Sequence, residues 1–170
     1  DQKRPSNPQD IVLYGFGRIG RLVSRIMAQT TGPGNYYRLR AIVVRKGSNT
    51  NDLLKRASLL RRDSVHGSFH GTIRVDNESE TLIINGNPVK IIYANGPKDF
   101  KYSNYGIDNP IVIDNTGVWR EEKDLSLHLE SGACKVILTA PAKGKIKNIV
   151  NGINNDILNE SDNIISAASC

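Results

Sequence analysis

The sequence predicts an α/β fold, a doubly wound parallel sheet with a short antiparallel excursion, and three observations carry that prediction. An apolar, β-branched run at residues 11–14 leads into a turn with glycines at 15, 17 and 20 and then into helical spacing. A second strand pattern follows that helix and completes a β-α-β unit, and strand-helix alternation returns after residue 110. Between the two stretches an Asn-Gly pair flanked by apolar runs marks a hairpin.

Residues 11–14 are short, branched and apolar throughout, as a strand buried on both faces must be. Ile19, Leu22, Val23, Ile26 and Met27 then fall on one helical face. In the turn between them Gly15 permits the tight reversal, Gly17 lets a pyrophosphate approach the backbone, and Gly20 lets the helix pack closely on the strand. The helix N-terminus offers free amides and the positive end of its dipole to phosphate. The segment therefore reads as a dinucleotide cradle, and the strand before and helix after carry that reading more than the glycines do.

Gly32, Pro33, Gly34 and Asn35 break the chain before strand-like residues 37–44, and residues 52–60 read as a helix capped by Asn51 or Asp52. Residues 71–75, 81–84 and 89–93 have strand texture, the last two joined by Asn85-Gly86. Residues 110–113 resume the parallel pattern, followed by a helix over 121–129 that closes at Gly132 and a strand at 135–139. Residues 148–158 are rich in Asn, Asp and Gly and give no clear period, and 163–168 read as one more strand. About five parallel strands result. Ligands of such sheets bind beyond the carboxyl ends of the strands, which puts the turns at 15–20, 115–117, 139–141 and 169–170 on one rim. Cys170 thus lies on the cofactor edge, as a reactive thiol or as an ordinary terminal residue.

Composition is that of a packed domain: 170 residues, 38% hydrophobic, with no apolar stretch of membrane-spanning length and no signal-peptide core at the start. Residues 1–9 read as a flexible segment ahead of a domain over 10–170, and the missing initiator Met suggests a piece of something longer. Two cysteines, Cys134 and Cys170, make no disulfide framework and fit a reducing cytoplasm. The net charge of +6 is uneven: residues 1–62 hold 13 Lys/Arg against 3 Asp/Glu, and residues 63–170 hold 10 against 14. Arg18, Arg21 and Arg25 share a helical stripe, yet no nucleic-acid motif accompanies them, so solvated faces and anionic ligands account for the charge better than nucleic acid. His66 and His70 lack the partners of a zinc site, and no metal is expected. His128 reads as a helix-surface residue, Trp119 as packing at a strand-to-helix connection, and Cys134 as a small buried residue.

A fold of this kind selective for NAD places an acid on the ribose hydroxyls about 20 residues past the glycines. No Asp or Glu occurs between Asp10 and Asp52, and the second strand runs into Arg45, Lys46, Gly47 and Ser48. Arg45, Lys46 and Ser48 suit a 2′-phosphate, so NADP is expected to be accepted at least as well as NAD.

Five segments, YGFGRIGR at 14–21, RDSVHG at 62–67, NTGVW at 115–119, TAP at 139–141 and SAASC at 166–170, resemble in order the landmarks of phosphorylating glyceraldehyde-3-phosphate dehydrogenases. The resemblance covers residues 10–170 and implies a Rossmann-like NAD(P)-binding part that ends at the catalytic cysteine, Cys170, with the catalytic domain and its histidine beyond it. It implies that the amides of Arg18 and Ile19 face the pyrophosphate, that Thr116, Gly117 and Thr139 line the nicotinamide side, and that Ser169 neighbours the substrate. Thr139 also reads as a strand-end cap and Ser169 as a small packing residue. The implied activity is oxidation and phosphorylation of glyceraldehyde 3-phosphate to an acyl phosphate through a cysteine thioester, with inorganic phosphate as co-substrate, in a cytoplasmic homo-oligomer, a tetramer by resemblance. A chain lacking the histidine is expected to be inactive alone. The alternatives are an erythrose-4-phosphate dehydrogenase and a non-catalytic module that binds a cofactor or nucleic acid.

Overall fold

The structure is a computed structural model that describes residues 7–31, 36–47 and 51–167. Ser48, Ser169 and Cys170, singled out from the sequence, lie outside the described residues. Within them, β1 (Gln9–Tyr14), α1 (Arg18–Thr30), β2 (Tyr37–Val44) and α2 (Asp52–Arg61) form the first half. The short pair β3 (Arg62–Asp63) and β4 (Gly67–Ser68) follows, then β5 (Ile73–Asp76), β6 (Thr81–Ile84) and β7 (Asn87–Tyr93). The second half comprises β8 (Ile111–Asp114), α3 (Glu122–Glu130), β9 (Lys135–Leu138), β10 (Lys147–Ile149) and β11 (Ile164–Ala167).

Nine strands form one sheet in the order β10-β11-β9-β8-β1-β2-β7-β6-β5, parallel from β10 to β7 and antiparallel over β5 and β6. This is the mixed, mostly parallel sheet of a Rossmann-like fold. The order reverses at β1, which pairs with β2 on one side and β8 on the other. Two parallel strands exceed the sequence expectation. β7 belongs both to the hairpin and to the parallel sheet, pairing β6 antiparallel and β2 parallel. β10, with the sequence Lys-Asn-Ile, is too short and polar to show a period. The hairpin turn follows from Asn85 (φ 49°) and Gly86 (φ 81°), both left-handed as a two-residue turn matched to strand twist requires.

The strands segregate side chains onto two faces by their period of two. Ile11 and Leu13 of β1 join Ile42, Leu60, Leu82 and Ile91 under α1 and α2, while Val12 and Tyr14 join Val43, Ile92, Tyr102 and Val112 on the opposite face. Each fully buried Leu or Ile contributes roughly 1.5–3 kcal/mol of transfer free energy. A third cluster, Leu125, Val136, Leu138 and Ile146, holds α3 to β9. No helix among the described residues is long and apolar enough to cross a membrane.

The orientation of α1 corrects the apolar face read from spacing. Val23 and Met27 pack on the core, but Ile19 and Ile26 are about half exposed, and the innermost positions are Gly20, Ser24 and Arg25. Backbone contact sets this rotation: a Cβ on Gly20 would stand 2.5 Å from the carbonyl oxygen of Gly15, so Gly20 must face the turn. Arg25 is likewise no solvated charge. Its Nε donates to the Leu60 carbonyl at 2.9 Å and its Nη1 to that of Gly67 at 3.1 Å, tying α1 to the end of α2 and to β4.

Candidate functional site

The carboxyl ends of β1, β2, β7 and β8 open onto a cavity of about 380 Å³. Its walls are Tyr14, Gly15, Phe16 and Gly17 after β1, Val43, Val44 and Arg45 after β2, Ala94 and Asn95 after β7, and Asn115, Thr116, Val118 and Trp119 after β8, with Arg56 from α2. It occupies the crevice where strand order reverses.

The floor is the glycine turn. The Gly15 amide donates to the Val43 carbonyl at 2.9 Å and the Asn115 amide to the Tyr14 carbonyl at 2.8 Å, so the sheet ladder fixes where the turn begins. Gly15 has φ +99°, a left-handed conformation that favours glycine. Gly17 is the N-cap of α1, makes no side-chain cap and has nothing within 4 Å of where a Cβ would stand. No acidic residue lies in the first turn of α1. The helix thus presents uncapped amides and its positive end to open space, a fit for a diphosphate.

The turn is braced from behind by the loop at residues 62–67. The Arg21 guanidinium donates to the Phe16 carbonyl at 3.0 Å, and Arg18 donates to Ser64 Oγ at 3.2 Å. Both arginines approach the Asp63 carboxylate, at 3.6 and 3.9 Å. Asp63 also accepts from the His66 and Val65 amides and lies 3.1 Å from His66 Nδ1. Those amides first, then the His66 ring and the Arg18 charge, hold its carboxyl below the usual range. His66 is absorbed in this brace, and among the described residues no group of three or more His, Cys, Asp or Glu is placed to hold a metal ion.

At the far end Arg45 and Arg56 border the cavity. Asp52, the first acid after the glycines, is committed elsewhere: Arg56 Nε lies 2.6 Å from its Oδ2. Arg56 Nη2 also donates to the Arg45 carbonyl at 2.9 Å. Burial, and then a hydrogen bond to Asp52, pushes the Tyr93 hydroxyl up to about 12. Lys46 stands off the cavity, with its ammonium 5.8 Å from the Tyr93 ring centre.

On the β8 side, sequence reasoning missed the residue that organises the rim. Asp114 is fully buried, and its Oδ1 accepts from the Thr116 amide at 2.8 Å and the Thr116 hydroxyl at 2.7 Å. Its backbone carbonyl accepts from the Thr139 amide at 3.0 Å and hydroxyl at 3.2 Å. Thr139 therefore behaves as the strand-end cap and does not line the cavity, whereas Thr116 does. Gly117, with φ +66°, turns the chain between lining residues Thr116 and Val118. His128 corrects the surface expectation outright: it is fully buried, with Nε2 2.9 Å from Asp114 Oδ2. A buried carboxylate needs such donors, but its position at the end of an apolar strand gave no signal of them. Trp119 packs on two core clusters as expected, and Cys134 is only half-buried.

Gly15, Gly17, Arg45 and Thr116 are thus brought together around one cavity, with Arg18, Ile19 and Gly20 in the first turn of α1 beside it. Residues 9–122 match the family described as "Glyceraldehyde 3-phosphate dehydrogenase, NAD binding domain". The chain is 59% identical over 162 residues to a "Glyceraldehyde-3-phosphate dehydrogenase-like protein" of Pseudomonas aeruginosa strain UCBPP-PA14, covering 95% of this chain and 35% of that protein. It is 39% identical to the glyceraldehyde-3-phosphate dehydrogenase of Thermotoga maritima, over 94% of this chain and 45% of the relative. With glyceraldehyde-3-phosphate dehydrogenase 1 of Schizosaccharomyces pombe the identity is 36%, over 93% and 43%. The chain spans less than half the length of these relatives. A glycine turn at the reversal of a Rossmann-like sheet and a family match over two thirds of the sequence converge: the chain belongs to the glyceraldehyde-3-phosphate dehydrogenase family, whose NAD binding domain it contains.

Proposed function

We propose that this chain binds a nicotinamide dinucleotide across the cavity, as the cofactor-binding part of a phosphorylating aldehyde dehydrogenase acting on glyceraldehyde 3-phosphate. The observation that carries the reading is Gly17: an uncapped helix N-terminus with open space where a side chain would stand, at the crevice between β1, β2 and β8. Arg18 and Ile19 offer their amides to the diphosphate, Gly15 and Gly20 keep the turn close to the sheet, and Thr116 with Gly117 shapes the nicotinamide end. Thr139 supports that end through the Asp114 carbonyl. When bound there, the oxidised nicotinamide accepts hydride.

Cys170 is the proposed nucleophile and Ser169 its neighbour toward substrate, both by resemblance. The thiolate adds to the aldehyde carbon; hydride loss from that carbon leaves a thioester, and inorganic phosphate displaces the thiolate to give the acyl phosphate. The chain holds no histidine near Cys170 in sequence, so we expect the 170 residues alone to be inactive. In the reading as a whole the setting is cytoplasmic and the assembly a homo-oligomer. An erythrose 4-phosphate substrate is the variant of this reading that the same cavity serves equally.

The cofactor is NADP at least as readily as NAD. Asp52, the first acid after the glycines, is neutralised by Arg56, and two guanidinium groups border the adenosine end. Calorimetric titration of this chain with NAD and NADP at matched low ionic strength tests both points. Tighter NADP binding supports cradle and cofactor choice, tighter NAD binding keeps the cradle and returns Arg45 to solvent, and binding of neither defeats the reading for this chain.

A further inference from the structure

The connection from β2 to α2 carries a glycine that its backbone does not require. Gly47 lies outside the left-handed region, so its conformation carries none of the strain that reserves a position for glycine. What excludes a side chain is Asp52: a Cβ on Gly47 would stand 2.5 Å from Asp52 Oδ1. The space beside Gly47 is thus filled by the first residue of α2. The other oxygen, Oδ2, accepts from Arg56 Nε at 2.6 Å, and Arg56 Nη2 donates to the Arg45 carbonyl at 2.9 Å. Two anchors on one planar group fix the guanidinium at the cavity edge, with Arg45 beside it. Its third nitrogen, Nη1, has no partner among the described residues.

Two features set this apart from an ordinary ion pair on a helix surface. Asp and Arg four apart on a helix need neither a glycine elsewhere nor a contact outside the helix. Here the acid reaches back to Gly47 and the arginine to the Arg45 carbonyl. Both side chains are also largely buried, at 15% and 17% exposure. Lys46, by contrast, stands off the cavity beside the Tyr93 ring. Arg56 is therefore the cation that the fold aims and holds.

We propose that Asp52 is a positioning residue for phosphate recognition: lodged in the space Gly47 leaves, it holds the Arg56 guanidinium where the 2′-phosphate of an adenosine ribose binds, so that an acid raises affinity for the more anionic ligand. The hold on Arg56 stands on geometry; the identity of the phosphate rests on the cofactor reading above. Coulomb's law alone gives the opposite sign, since removing a carboxylate near a phosphate relieves repulsion. That repulsion is small for an acid already paired with an arginine near solvent, whereas an arginine released from its anchor has to be ordered again when ligand binds. The sign of the effect therefore separates positioning from plain charge.

The test uses Gly47→Ala and Asp52→Ala, singly and together, in this chain. A Cβ at position 47 meets only the Asp52 side chain, so Gly47→Ala swings the carboxylate away without moving backbone, and urea unfolding is expected to match the parent. Affinities are measured for NADP and NAD, and for adenosine 2′,5′-bisphosphate and adenosine 5′-phosphate, pairs that differ only by the 2′-phosphate. Each single variant is expected to lower both affinity ratios about ten-fold, the scale of one hydrogen bond to a charged group, with NAD affinity held. The double variant should lose no more than either single one, because Ala at 47 then has nothing to displace. A ratio that is unchanged or rises in Asp52→Ala, or losses that add in the double variant, overturn the proposal. The hold itself is read without ligand from the Nε–H magnetic resonance of Arg56, whose exchange with water is expected to accelerate at least ten-fold in both single variants; unchanged exchange overturns it. If the parent chain binds none of the four ligands, the cofactor reading fails and takes the phosphate assignment with it, while the Arg56 resonance still decides whether Asp52 holds the guanidinium.

Discussion

A Cβ placed on Gly20 would lie 2.5 Å from the carbonyl oxygen of Gly15, whereas one placed on Gly17 would meet nothing within 4 Å. The two glycines therefore serve different ends, one for packing and one for access. Gly20→Ala is expected to destabilise the chain by about 1–3 kcal/mol, because backbone has to move. Gly17→Ala, at φ −71° and ψ −168°, should leave stability within about 1 kcal/mol and weaken dinucleotide binding at least ten-fold. Urea unfolding and calorimetry on the two variants separate these effects; equal losses in both properties would contradict the division.

The Arg56 guanidinium bridges Asp52 and the Arg45 carbonyl at the cavity edge. Removing it should free an acid near the ribose and withdraw a cation from a 2′-phosphate. Arg56→Ala and Arg45→Asp are each expected to lower NADP affinity by roughly 10–100-fold, the scale of one charge-assisted hydrogen bond. NAD affinity should hold or rise. If Arg45→Asp leaves NADP affinity unchanged, that arginine is plain solvated charge.

Asp63 supplies a pH dependence with a definite sign. Its carboxyl is held below the ordinary value near 3.9 by the His66 and Val65 amides first, then by the His66 ring and the Arg18 charge. The folded state thus prefers the ionised form, and that stabilisation is fully present above about pH 4 and lost as pH falls toward the folded value. Asp63→Asn should destabilise the chain at pH 7, and the gap from the parent should shrink at pH 3. Unfolding curves at the two pH values settle it, since an equal gap at both would remove the electrostatic account.

On α1 the outward side is Ile19 and Ile26, and the inward side includes Val23. Ile26→Lys should therefore change stability by no more than about 0.5 kcal/mol, the range of surface substitutions. Val23→Asp should cost about 3 kcal/mol or more, because it buries an unpaired charge against Leu13 and its neighbours. Thermal unfolding of the pair checks the rotation of the helix directly.

That rotation also marks where sequence reading stops. The glycine turn, the β-α-β unit and the Asn85-Gly86 hairpin were legible because each depends on local geometry that few residue types satisfy. The buried face of α1 was not, because a backbone-to-backbone approach at Gly20 outweighed the apolar spacing of Ile19, Leu22 and Ile26. Arg25 and His128 looked solvent-bound for a related reason. Each is buried only because a distant partner receives it, the Leu60 and Gly67 carbonyls for one and Asp114 for the other. Such pairings join residues from different elements, and no local pattern announces them. β10 escaped through brevity, since its three residues take their strand geometry from β11.

The ring of Trp119 touches two core clusters and the cavity at once, with its centre 5.6 Å from that of Tyr14. It is also the chain's single tryptophan. Its ultraviolet emission is therefore an intrinsic optical gauge with one origin: loosening of the α3 side and arrival of a ligand in the cavity would both alter the same signal, without a label and in the unmodified chain.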